Sequence, residues 1–187
     1  FKKNIMGTRN LTMVIDQKGK KKVAQYGQWD GYPSGVGANV LKFLENKELV
    51  EKLKTNLQKV RFLKPKGKDK DFIESYDKNT PEWSSDPDNR TPEQKRWFTT
   101  YCNRDLAEKV LTNIAQSSDE EIILINQEST AKVGGWVEYS YVINFKENSF
   151  AIHSYIDAPP MKVYSLSELP TKEQFIFDLD GNKEDEN

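Results

Sequence analysis

The residue types best suited to holding a ligand are concentrated in one stretch, residues 25–37 (QYGQWDGYPSGVG). Trp29 and Tyr32 offer flat walls for a planar or sugar-like group, and Asp30 accepts hydrogen bonds from it. Gly35 and Gly37 immediately precede a helical pattern. There, free backbone N–H groups face an anion with the helix dipole behind them. Arg9, next to the first strand, adds a positive charge suited to a phosphate. Tyr26, Gln28 and Ser34 are counted in the same ligand-binding set. The stretch therefore reads as a strand-to-helix loop for a small anionic or nucleotide-like ligand. The competing reading is an Asp-capped turn whose aromatics close one end of the core. Accessibility of Trp29 separates the two.

Other chemistries find little support. The lone histidine, His153, reads as a hydrogen-bonded strand residue, and the lone cysteine, Cys102, as a buried thiol inside a helix. One Cys and one His cannot make a four-ligand zinc site without carboxylates. No phosphate-binding P-loop, dinucleotide fingerprint or nucleophile elbow occurs. The stretch 178–182 (DLDGN) starts like a calcium loop but lacks its later acidic ligand, so it reads as a turn. The expectation is no metal and no cofactor.

The elements that must position the loop follow from periodicity. Residues 11–15 and 22–26 are β-rich runs joined by a polar link containing Gly19, which predicts a hairpin. Val40, Leu41, Phe43 and Leu44 begin a helical pattern, and Val50, Leu53, Leu57 and Val60 continue one on a single face. Asn46 between them suits a cap on a second helix, or a kink. Residues 64–90 are polar and read as a long insertion with Trp83 inside it. Thr91, Pro92 and Gln94 form a helix start, with Trp97, Tyr101, Val110, Leu111 and Ile114 behind it as a buried stripe.

The last third is β-rich. Residues 122–125 (IILI) read as a central strand covered on both faces. Val137, Tyr139, Tyr141, Ile143 and Phe145 alternate with more polar neighbours, and 150–156 follow after a turn. Residues 163–166 read as an edge strand or turn, 167–170 as a helical turn and 174–178 as an extended piece. The predicted order β-β-α-α-β-β-β gives an α+β fold, an antiparallel sheet packed against two main helices. One domain spans 1–182 and an acidic tail 183–187.

Bulk properties limit the partners. The 187 residues carry 28 basic and 29 acidic side chains, a formal net charge of -1 that gives no footprint for nucleic acid or membrane. The local basic run 18–22 (KGKKK) reads as a solvated hairpin turn. With one cysteine, no apolar run near 20 residues and no signal-peptide pattern, the chain reads as cytoplasmic. Met6 looks like a natural start, with residues 1–5 as an extension.

The combination of 6–12 (MGTRNLT) with 25–35 (QYGQWDGYPSG) resembles an uncharacterised family of small proteins from phages, bacteria and some fungi. The match covers about the first fifth of the chain. The family supplies no activity and hence no residue roles. A phage setting implies a small inhibitor or ligand sponge directed at a host system. Two alternatives to ligand binding therefore stand. One is a protein–protein inhibitor of a host defence enzyme, anchored by Trp83. The other is an N-terminal-nucleophile-like hydrolase, in which Gly7 or, after a further cut, Thr8 would lead the chain.

Overall fold

A computed structural model describes residues 7–64 and 106–180, together with Gly67 and Asp69. The predicted helix start at Thr91, its stripe residues Trp97 and Tyr101, Cys102, Trp83 and most of the 64–90 insertion lie outside the described residues, as does the 183–187 tail. Within them the fold is α+β, with a mixed five-stranded sheet and four helices.

The hairpin forms as expected from β1 (Asn10–Ile15) and β2 (Lys21–Gly27). Asp16 makes its turn: one carboxylate oxygen accepts from the amides of Lys18 (2.9 Å) and Lys20 (2.8 Å), while Gly19 takes φ 78. Next come α1 (Ala38–Glu45) and α2 (Lys47–Asn56), and Asn46 caps the second by accepting from the Leu49 amide at 3.1 Å. A short β3 (Val60–Phe62) follows. After the insertion come α3 (Lys109–Gln116), β4 (Ile122–Leu124), β5 (Tyr139–Asn144), β6 (Ser149–His153), β7 (Lys162–Ser165) and α4 (Lys172–Asp180).

Five expectations need correction. The sheet is not wholly antiparallel. Its order is β2-β1-β5-β6-β7, and β1 runs parallel to β5 through six register pairs from Asn10↔Tyr139 to Ile15↔Asn144. A parallel neighbour requires a long crossover, which the chain between β2 and β5 supplies. Residues 122–125 are not a central strand of this sheet. Among the described residues β4 pairs only with β3, in a separate two-stranded parallel sheet, where Ile122 and Leu124 are buried by the helical layer and Ile123 is partly buried. Residues 174–178 are helical rather than extended, because Phe175 and Leu179 stand four apart and bury on one face. That helix also contains 178–180, so these residues do not form the predicted turn. Residues 167–170 form no helical turn; Glu168 instead bridges back to Ser165.

Both sheet faces are covered, which explains why β1 is buried along nearly its whole length. On one face Val14, Val23, Tyr141, Ile143 and Phe150 meet Val40, Leu41, Leu53, Leu111 and Phe175 from the helices. On the other, Leu11, Met13, Tyr26 and Val142 pack with Ala131 and Val137. The outer edge of β2 is also occupied. Gln127 donates its amide to Ala24 O (3.0 Å) and accepts from the Tyr26 amide (2.8 Å), standing in for a further strand.

Two polar devices lock the helices. Buried Asn56 donates to Ile114 O (2.8 Å) and Ser117 O (3.0 Å), satisfying carbonyls at the end of α3. Asp178 on α4 bonds Lys162 (2.9 Å), Gln174 (2.5 Å) and Tyr164 (2.9 Å), tying the helix to β7. These partners, Lys162 foremost, hold the Asp178 carboxyl below its ordinary value of 3.8. Such a carboxylate stabilises the fold above that value, and the contribution is lost as pH falls through the lowered one. Asp178→Asn should therefore lose less stability than wild type between neutral pH and pH ~2, measured by urea denaturation at each pH. Asn56→Ala should cost about 1–3 kcal/mol in the same assay at neutral pH, because it strands buried carbonyls.

Candidate functional site

The 25–37 loop is pinned to the sheet by its own backbone. The Gly31 amide donates to Thr8 O at 2.9 Å, and the Tyr141 hydroxyl donates to Gly31 O at 2.7 Å. Asn10 Nδ2 reaches the carbonyls of Gly27 and Trp29, both at 3.3 Å. Beyond Tyr32 the chain winds into a wide helical turn, Pro33–Gly37, that runs directly into α1. The Val36 amide closes the loop on Asp30 O at 2.8 Å. This anchoring has a cost on the same strand, where Asn10 Oδ1 and Thr12 Oγ1 are buried without hydrogen-bond partners among the described residues.

The pins leave the tip exposed. Trp29 is 50% and Tyr32 41% accessible, so neither plugs the core. Gln28, Trp29 and Asp30 form one wall of a cleft of about 370 Å³. Ala107, Glu108 and Lys109, at the start of α3, form the opposite wall, with Val36 and Asn39 at the end. That volume lies at the small end of ligand pockets, roughly 300–1,000 Å³. Asn39 donates to Glu108 Oε1 at 2.9 Å, bridging α1 and the far wall.

Both walls carry strained backbone. Asp30 sits at φ 51 and Ala107 at φ 41, in the left-handed region that costs an L-residue roughly 1–2 kcal/mol. Ala107 has no side-chain hydrogen bond to compensate. The two walls approach closely at Gly27, where any Cβ would lie 2.5 Å from that of Ala107. Gly35 is similarly constrained, since a Cβ there would fall 2.2 Å from Asp30 O.

The structure brings together only part of the expected set. Gln28, Trp29 and Asp30 line the cleft; Arg9, Tyr26, Tyr32, Ser34, Gly35 and Gly37 do not. Arg9 is half-buried, and its backbone bonds Glu138 and Tyr139. Tyr26 is in the second core and donates its hydroxyl to Gln28 Oε1 at 2.6 Å, which turns the Gln28 NH₂ the other way. Tyr32 donates to Asp30 Oδ1 at 3.2 Å, and that bond and charge hold its hydroxyl above the ordinary phenol range. Ser34 is exposed on the helical turn. Gly37 is buried beside Tyr141 and Phe175. The expected anion nest is occupied from within: the amides of Gly35 and Gly37 donate to Tyr32 O at 3.0 and 3.4 Å.

Sequence reasoning missed Val36, Asn39, Ala107, Glu108 and Lys109. Asn39 was findable as a polar residue in the first turn after the loop. The other wall lies some 70 residues away, with no motif to flag it.

A larger groove of about 570 Å³ lies between the first two helices and the β5–β6 turn, over Leu44, Val50, Phe145 and Leu169. Within it Lys54 pairs with Glu51 at 2.7 Å, and Asn148 bonds Ser165 and Ser167. The 18–22 basic run is divided, since Lys21 pairs with Glu128 and Lys22 donates to Val60 O. His153 Nδ1 lies 3.0 Å from Ala158 O, a bond that secures the end of β6. Thr8 is tied to Gly31 and does not line the cleft. Among the described residues no His, Cys, Asp and Glu cluster could hold a metal ion, and no helix is long and apolar enough to cross a membrane.

Compared with family models, curated proteins and solved structures, the chain gives no match.

Tyr141→Phe should cost about 1–3 kcal/mol by leaving the buried Gly31 carbonyl unpaired. Hydrogen exchange should show faster opening at the Gly31 and Val36 amides, with helix α2 unchanged.

Proposed function

We propose that the protein is a non-catalytic binding module and that the cleft between Trp29–Asp30 and Glu108–Lys109 holds a small nucleotide-like or sugar-like ring. The observation that carries this reading is the state of Trp29. A half-exposed indole on a cleft wall, beside a carboxylate in strained backbone, is what stacking and hydrogen bonding to a ring require. A structural plug would have been buried. The reading departs from the expected anion. Two carboxylates, Asp30 and Glu108, face one ammonium, Lys109, and the glycine amides are occupied, so the cleft offers an anion little.

The test is calorimetry with a panel of nucleosides, nucleotides and monosaccharides. Trp29→Ala and Asp30→Ala should each weaken whichever ring binds by about tenfold or more, the worth of one stacking or charge-assisted contact. Unfolding free energies read on the same proteins separate lost binding from lost fold: both variants should stay folded, with Asp30→Ala losing up to about 1–2 kcal/mol because alanine tolerates the left-handed region less well than aspartate. A panel with no binder, or a binder indifferent to both substitutions, contradicts the proposal.

A further inference from the structure

The cleft's hydrogen-bonding groups are unevenly divided between acceptors and donors. Among the described residues, Asp30 receives one bond, from Tyr32, and Glu108 receives one, from Asn39. The remaining carboxylate oxygens, with Asn39 Oδ1, make a strongly accepting rim. The donors are fewer: the Gln28 NH₂, oriented by the Tyr26 hydroxyl on its other end, and the Lys109 ammonium. A ring that fits must present adjacent N–H donors to a carboxylate and an acceptor close by.

From that inventory we infer that the cleft takes a guanine-type base or nucleoside, with its N1–H and 2-amino groups on the Asp30 carboxylate and O6 toward Gln28 or Lys109. The inference rests on the reading of the cleft as a ring-binding site. Chemistry discriminates among the bases. Guanine places two donors side by side, matching the two oxygens of one carboxylate in a charge-assisted pair. Adenine and cytosine each set a ring-nitrogen lone pair beside their amino group, and that lone pair would face the carboxylate. Uracil has a single N–H flanked by two carbonyls. Stacking on Trp29 serves every base equally, so the edge decides. A phosphate adds nothing here, because the two carboxylates outnumber the one ammonium and the Gly35 and Gly37 amides are bonded to Tyr32 O. The nucleoside should therefore bind as well as its nucleotide.

The experiment is calorimetric titration of the full chain with guanosine, inosine, adenosine, cytidine and guanosine 5′-monophosphate, repeated on Asp30→Asn and Glu108→Gln. Guanosine should bind tightest. Inosine, which lacks only the 2-amino group, should be about tenfold weaker, and adenosine and cytidine weaker still. Asp30→Asn should weaken guanosine about tenfold while leaving adenosine unchanged. The monophosphate should bind no more tightly than guanosine. Adenosine or cytidine binding as well as guanosine overturns the assignment, as does a monophosphate tenfold tighter. Binding of a monosaccharide or another base at Trp29, without guanosine, overturns it while leaving the ring-binding reading intact. If no ring in either panel binds, both fall. Asp30 is exposed, so unchanged thermal unfolding of the Asp30→Asn protein separates lost recognition from lost fold.

Discussion

The parallel pairing of β1 with β5 is the constraint on which the rest depends. It joins the antiparallel hairpin β1–β2 and the three-stranded antiparallel meander β5–β6–β7 into a single sheet. Its register sets Thr12 opposite Tyr141, which places the Tyr141 hydroxyl beneath the loop that leaves β2. The same strand contributes Asn10, whose amide holds the carbonyls of Gly27 and Trp29. A slip of one residue would turn Tyr141 to the opposite face and release the loop. The cleft thus follows from strand register as much as from loop sequence.

What the sheet anchors, the helices complete. The loop enters α1 without an ordinary side-chain cap, and the first turn of α1 brings Asn39 to Glu108 on the facing wall. Left-handed residues on both walls mean that the native contacts outweigh local conformational preference there. Asp30 and Ala107 keep this geometry because the Gly31, Val36 and Gly27 contacts leave no room for an alternative. Strain on both sides of one small cleft, combined with an exposed indole, sets this region apart from the larger groove over Phe145.

Local features were legible in the sequence; long-range ones were not. Asp16 and Gly19 announced the hairpin turn, Asn46 the second helix, and alternation at Tyr139, Tyr141 and Ile143 the face of β5 toward the helices. The parallel alignment carried no local signal, because period-two alternation is the same in either direction. The 122–125 run misled because four consecutive apolar residues suggest two covered faces, whereas only Ile122 and Leu124 are buried, in a two-stranded sheet under the helices. Helix α4 was missed because Phe175, Ile176 and Phe177 run consecutively and blur its face, though Phe175 and Leu179 have helical spacing and are the pair that buries. At the cleft, Trp29 and Asp30 were visible as residue types. The amides of Gly35 and Gly37 were expected to be free, yet a helical turn starting at Pro33 bonds them to Tyr32 O.

The central claim is that Trp29, Asp30, Glu108 and Lys109 form one binding surface. The most direct test is an assigned amide and indole NMR spectrum followed through a guanosine titration. The account predicts saturable shifts confined to the Trp29 indole N–H and the amides of Gln28, Asp30, Asn39, Glu108 and Lys109. Shifts clustered instead around Phe145 and Leu169, or none at millimolar nucleoside, would contradict it.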